Sequence, residues 1–255
     1  MKLITTLAAL LGTAVLFAVP AARADDGAVR LQHVGWSSVA GSGKLQTEAR
    51  NVTGFQAITT RGSIKLVLRQ GAREGVELRA DDNLLPLIET RVVDHGGVPT
   101  LEIGAKDGTS YSSRNPVVAT VDLIALRALT LAGSSDVACE ALKAPNLQIA
   151  VSGSGNLRMR QLDIDQLAVK VSGSGNVDFS GRAGTLGLKI AGSGDANTRA
   201  LEADDVAVSV AGSGDVTVNA RKTLSVSVAG SGSVAYTGAA AVTSSVAGSG
   251  RVKKL

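Results

Sequence analysis

The sequence predicts an all-β protein wound as a parallel β-solenoid of two-sheet coils, 18–20 residues per coil. Three observations carry this. First, Gly-Ser-Gly recurs through the second half, opening at Gly133, Gly153, Gly173, Gly192, Gly212, Gly230 and Gly248, with Ser135 replacing the third glycine of the first turn. The steps are 20, 20, 19, 20, 18 and 18 residues, and a fixed period of this length means stacked coils. Second, aliphatic residues fill fixed positions around each turn. Third, the chain has almost no helical periodicity and only 3 Phe, 1 Trp and 2 Tyr. The left-handed hexapeptide helix is disfavoured, because its period keeps to multiples of six.

The N-terminus reads as a leader. Met1 and Lys2 precede an apolar run from Leu3 to Val19, then Pro20 and Ala22-Arg23-Ala24. That is the pattern of a secretory signal peptide, cleaved after Ala24. Residues 1–24 are therefore set apart, and no later stretch reaches membrane-span length. The mature chain has 231 residues and loses Lys2 and Arg23, so the net charge of +4 falls to +2. A nearly balanced chain gives no reason to expect nucleic acid. The expected compartment is the periplasm or the cell surface.

Residues 25–54 form a lead-in, in which Gly41-Ser42-Gly43 reads as an early turn. Residues 55–131 read as irregular N-terminal β coils or a capping sheet, and 132–255 as the regular solenoid. Within 55–131, Ile64 to Arg69 and Val76 to Arg79 alternate at period two, as strands do. Asn83-Leu84-Leu85-Pro86-Leu87-Ile88 reads as a helical turn or a corner, and His95-Gly96-Gly97 as a turn.

The repeats can be read in columns because coils stack in register. Two residues before each first glycine stand Leu131, Val151, Val171, Ile190, Val210, Val228 and Val246. Four before them the column ends at Ser244, after six aliphatics. Four past each first glycine, from Gly153 on, stand Leu157, Val177, Ala196, Val216, Val234 and Val252. These columns point inward, and each coil becomes a strand, a tight turn, a second strand and a looser return. A buried aliphatic contributes about 1.5–3 kcal/mol, so such columns suffice for a core without aromatics.

The glycines follow from reversing the chain in three residues, which needs positive φ, and from the close stacking of turns. The serines between them are placed for a hydroxyl ladder. The next column, Asp136, Asn156, Asn176, Asp195, Asp215, Ser233 and Arg251, is rich in residues whose side chains bond turn backbone.

The chain resembles the auto-transporter adhesin head domain (GIN domain) family, a bacterial domain of unknown function. The resemblance rests on Gly41-Ser42-Gly43, Arg50, Phe55 and Ile58, then Arg69-Gln70-Gly71 and Asp82-Asn83-Leu84-Leu85. The ordered Gly-Ser-Gly turns follow, ending in Gly230-Ser231-Gly232-Ser233-Val234-Ala235-Tyr236-Thr237-Gly238. It covers about residues 35–255. The resemblance implies a right-handed parallel β-solenoid, pectin-lyase-like in shape, with an adhesion or surface role and no established catalytic residues. An auto-transporter also carries a C-terminal membrane barrel, and this sequence stops at Leu255.

Site candidates are few. On the strand after the turn the outward columns are Arg158, Asp178, Asn197, Thr217, Ala235 and Arg160, Ser180, Arg199, Asn219, Thr237. Arg158, Arg160 and Arg199 around Asp178 are the candidate ligand-binding residues, for an anionic sugar or a protein; an ordinary solvated face is the simpler alternative. Asp195 and Asp215, one coil apart, are a weak candidate pair for calcium, against solvated turn caps. Cys139 is the single cysteine and reads as a small core residue. His33 and His95 have no ligand-spaced neighbours, and Trp36 and Tyr111 read as packing residues rather than sugar platforms. No cofactor motif is present, and the acids are too scattered for a lyase centre. The sheet before the turn has small outward residues, a face suited to cover by the N-terminal strands or by a second copy.

The expected function is a non-enzymatic binding or adhesion module of the bacterial envelope that takes a glycan or a protein. A polysaccharide-active, lyase-like enzyme and a self-assembling scaffold are the alternatives.

Overall fold

Parallel pairing carries the repeat. The structure is a computed structural model that describes residues 38–255; the expected leader at 1–24, His33 and Trp36 lie outside the described residues. The first strands are β1 (Ser38–Ala40), β2 (Leu45–Arg50), β3 (Ala57–Gly62), β4 (Ile64–Gln70) and β5 (Gly75–Asp81). A 3-10 turn at Leu85–Leu87 follows, where Pro86 favours a helical start. Next come β6 (Ile88–Asp94), β7 (Pro99–Ala105), β8 (Ser110–Ser112), β9 (Val117–Leu123), β10 (Ala128–Gly133) and β11 (Asp136–Cys139). The long coils are β12 (Leu142–Gly153), β13 (Asn156–Gly173), β14 (Asn176–Gly192), β15 (Ala196–Gly212) and β16 (Val216–Gly230). The series closes with β17 (Ser233–Thr237), β18 (Ala241–Gly248) and β19 (Arg251–Lys254). The described residues contain no α-helix.

Register follows the columns. Gly133 pairs with Gly153, Gly153 with Gly173, Gly173 with Gly192, and so on to Gly230 with Gly248. The inward columns are buried: Val151, Val171, Ile190 and Val210 are all at most 2% exposed. The return, expected to be loose, is itself strand. In β13 exposure alternates except at two doubled positions, Arg160–Gln161 and Asp165–Gln166. These are corners, and Gln161 takes φ +44 at the first. Between them Leu162 and Ile164 are buried and pair with Leu142 and Ala144. Each regular coil therefore adds a short third inward face to the two expected ones.

The serine hydroxyls form no ladder; a backbone ladder takes that place. Ser154 N–H donates to Gly133 O, Ser174 N–H to Gly153 O and Ser193 N–H to Gly173 O, each at 3.0 Å. The Ser135 exception also has a cause. Below it lies Gly62-Ser63-Ile64, without a third glycine. The buried Ser135 hydroxyl donates to Gly62 O (3.0 Å) and accepts from Ile64 N–H (3.3 Å), joining an irregular coil to the regular series.

The region 55–131 supplies both coils and a cap. β3 and β4 pair in parallel with β10 and β11, so Gly62 is a further turn glycine, in register with Gly133. On their other side β3 and β4 pair in parallel with β7 and β9. The chain thus lays a coil outside its first coil before it starts the regular series. Beyond that, β6 pairs antiparallel with β7, β5 with β9 and β2 with β5. Reversed strands close this end of the stack. The N-terminal strands therefore seal an end and do not cover the small-residue face.

Gly41-Ser42-Gly43 stands apart from the turn column. β1 pairs in parallel with β8, and the tripeptide is strapped to the segment after β5. The Ser42 hydroxyl donates to Asp82 Oδ1 (2.6 Å), Ser42 N–H donates to Asn83 Oδ1 (2.9 Å), and Asn83 Nδ2 donates to Ala40 O (2.8 Å). Beneath the strap Asp81, 1% exposed, accepts hydrogen bonds from the Ser113 hydroxyl (2.6 Å) and Asn115 Nδ2 (2.7 Å). These two donors hold the Asp81 carboxyl below its ordinary range. They satisfy a buried charge that would otherwise be costly.

Candidate functional site

The strands that follow the turn carry the site. On this face β4, β11, β13, β14 and β15 lie side by side. Along it runs a groove of about 650 Å³, bordered by two polar columns. One is Asp136, Asn156, Asn176 and Asp195. Lys65, in register with Asp136, extends it on β4; the other includes Arg158, Asp178 and Asn197.

The first column is fixed by its own chemistry. Asp136 Oδ1 accepts from Asn156 N–H (3.2 Å) and Nδ2 (2.9 Å). Asn176 Oδ1 accepts from Asp195 N–H (3.0 Å), Asp195 Oδ1 from Asp215 N–H (2.8 Å), and Asp215 Oδ1 from Ser233 N–H (3.0 Å). Only Asn or Asp places a carbonyl-type oxygen at this reach, which explains the column's composition. The ladder holds each Asp by one oxygen and leaves the other free, whereas Asn156 and Asn176 are held by both amide atoms. Such pre-set side chains lose little freedom when they meet a ligand.

The second column contains an ion pair. Arg158 Nε lies 3.6 Å from Asp178 Oδ2, and Asn197 Nδ2 donates to Asp178 Oδ1 at 3.4 Å. Both charges are exposed, so the pair adds about 0–1 kcal/mol to stability. The groove holds Lys65 and Arg158 against Asp136, Asp178 and Asp195, an almost balanced lining with a slight acidic excess.

Of the four candidate ligand-binding residues, the structure brings Arg158 and Asp178 together in the groove. Arg160 and Arg199 stand at coil corners, each beside a second exposed residue, and do not line it. Asp195 and Asp215 occupy adjacent rungs of the ladder. Among the described residues no group of three His, Cys, Asp or Glu side chains gathers as a metal site. Cys139 is 2% exposed in the inward column between Leu68 and Met159. His95 Nε2 lies 3.0 Å from Glu102 Oε1 in the β6–β7 hairpin, and Glu102 also takes Arg61 and Arg91.

Sequence columns missed Lys65 as a groove residue. The signal was present: Ile58, Thr60, Gly62, Leu66 and Leu68 keep the spacing of Leu129, Leu131, Gly133, Val137 and Cys139. On the opposite face Ala128, Gln148, Ala150, Lys170, Gly187 and Lys189 line a second depression of about 330 Å³. Nothing among the described residues covers it.

The family described as "Putative auto-transporter adhesin, head GIN domain" matches residues 54–240. The chain belongs to this family. Among solved structures, this GIN domain is similar to a "putative adhesin" from Bacteroides fragilis, at 28% identity and TM-score 0.77. That match covers 86% of this chain and 100% of the other. A "putative adhesin" from Parabacteroides distasonis is 26% identical, with TM-score 0.70 over 86% of this chain and 100% of its own. A "putative lipid binding protein" from the same species shares the fold, at 23% identity and TM-score 0.71, with the same shares covered. No curated protein matches this chain. Among the described residues no helix is long and apolar enough to cross a membrane.

Proposed function

We propose that this GIN domain is an exported, non-enzymatic adhesion module of the bacterial cell envelope that holds a glycan in the groove after its turns. The observation that carries this is the groove between two polar columns, one of them fixed as a ladder. Amide and carboxylate groups at every coil can pair with the hydroxyls of successive sugars. An added peptide strand would gain no main-chain bonds here, because these backbones are paired within the sheet. A protein that docks through side chains is the second reading, favoured by the exposed Arg158–Asp178 pair. The two relatives described as adhesins support adhesion over turnover. The leader-like residues 1–24 support export to the periplasm or cell surface.

The test is a glycan screen beside a pull-down from envelope extract, using the mature chain, Arg158→Ala/Asp178→Ala and Arg160→Ala/Arg199→Ala. The first pair is expected to lose the ligand with an unchanged Tm, and the second to keep it. Equal recovery by all three removes the groove. Release of cleaved or unsaturated sugars by the wild type restores the lyase reading.

A further inference from the structure

The two ends of the stack differ. One is closed by reversed strands; the other, among the described residues, ends in the unpaired outer edges of β18 and β19. On β18 every residue is exposed. Val242 and Val246 continue inward columns whose previous members, Leu224 and Val228, are 1% and 2% exposed, yet they are themselves 38% and 40% exposed. An eight-residue edge without proline or charge is an open template for another strand.

β19 is protected where β18 is not. It carries Arg251, Lys253 and Lys254, and Lys254 stands in register with Tyr236, in a column that is apolar in most coils below. A charge in such a column discourages stacking. The charge pattern therefore admits a partner on β18 and resists one on β19.

The sequence of β18 identifies the partner. Around Ser244 it is close to a palindrome: Val242 matches Val246, Ala241 matches Ala247, and Thr243 matches Ser245. A two-fold axis through Ser244 sets each of these pairs opposite one another in antiparallel register. Valine then faces valine on the core side, and no charge faces a like charge. It also explains why this inward column, aliphatic in six coils, turns to serine here: Ser244 meets its own copy on the axis. A head-to-tail contact has no such fit, because the far end presents β2 and β6 with Glu48, Arg50, Glu89 and Arg91.

We infer that β18 is the interface of a closed two-fold dimer, in which it pairs antiparallel with β18 of a second copy, centred on Ser244. Isologous pairing of this kind closes and does not propagate.

Sedimentation equilibrium of the mature chain tests this, together with three variants. The wild type is expected to be a dimer. Ser244→Cys is expected to cross-link to itself on oxidation, since residues opposed on the axis lie within disulfide reach. Ala247→Cys, opposite Ala241, is expected not to. Ser244→Lys puts two cations face to face and is expected to give a folded monomer, with a native circular dichroism spectrum and a Tm below that of the wild-type dimer by what association contributes. A monomeric wild type overturns the inference. So does a dimer that survives Ser244→Lys, one whose Ser244→Cys runs as a monomer under denaturing, non-reducing conditions after oxidation, or an open-ended series of oligomers.

Discussion

Gly133 lies directly on Gly62, so that a Cβ built on Gly133 would stand 2.7 Å from the Gly62 carbonyl oxygen. Gly133 also has φ +111. Gly133→Ala therefore meets both backbone strain and a wall of backbone, and is expected to lower stability by about 2–3 kcal/mol. Gly43 has φ +81 but open space around it, so Gly43→Ala is expected to lose only about 1 kcal/mol. Urea unfolding of the two variants compares them; equal losses would deny the stacking its role.

Phe179 is fully buried in the column that Met159 and Cys139 share. In a core this poor in aromatics it fills a volume that small neighbours cannot recover. Phe179→Ala is expected to destabilise the fold by about 3–5 kcal/mol, read from the shift in denaturant midpoint. A loss below 1 kcal/mol would mean that the coil collapses around the vacancy.

Acid should act through Asp81. The Ser113 hydroxyl and then the Asn115 amide hold its carboxyl below the ordinary aspartate value, which is about 3.9 in an unfolded chain. The folded state thus binds this proton less readily than the unfolded state does. The resulting stability is present above the unfolded value and is lost as pH falls through the lower folded value. Ser113→Ala is expected to shift acid unfolding, followed by circular dichroism, to higher pH. An unmoved acid limb would show that another carboxylate controls it; Asp82, lowered chiefly by Ser42, is the next to change.

Cys139 should be chemically silent. Burial pushes its thiol up to about 11, and the thiolate is the reactive form. Iodoacetamide at neutral pH is expected to leave the native protein unlabelled and to label it in denaturant. Rapid native labelling would contradict the packing against Leu68 and Met159.

The regular coils were legible because their side chains repeat a physical constraint. Val151, Val171 and Ile190 lie one above another because turns of equal length hold them there. The irregular half hid its order for a topological reason. Gly62 belongs to the same column as Gly133, but the chain builds the outer coil and the cap between them, which erases the period. Gly41-Ser42-Gly43 misled in the other direction: the same letters are held by Asp82 and Asn83 and join no column. The groove was half legible. Arg158 and Asp178 follow from the outward columns, whereas Lys65 needs the pairing of β4 with β11, and only the coil corners separate Arg160 and Arg199 from them.

The reversed strands at one end give the stack a direction. A rod of identical coils has two equivalent tips, from which it loses order at the same rate. Here β2, β5 and β6 act as a ferrule on one tip, and in a single copy melting must start from the other. The coils nearest the cap, which frame Lys65, Asp136 and Arg158, are therefore the last to open, while those around Val242 and Val252 breathe first. The groove sits at the quiet end of a rod whose other end is steadied only by its partner strand.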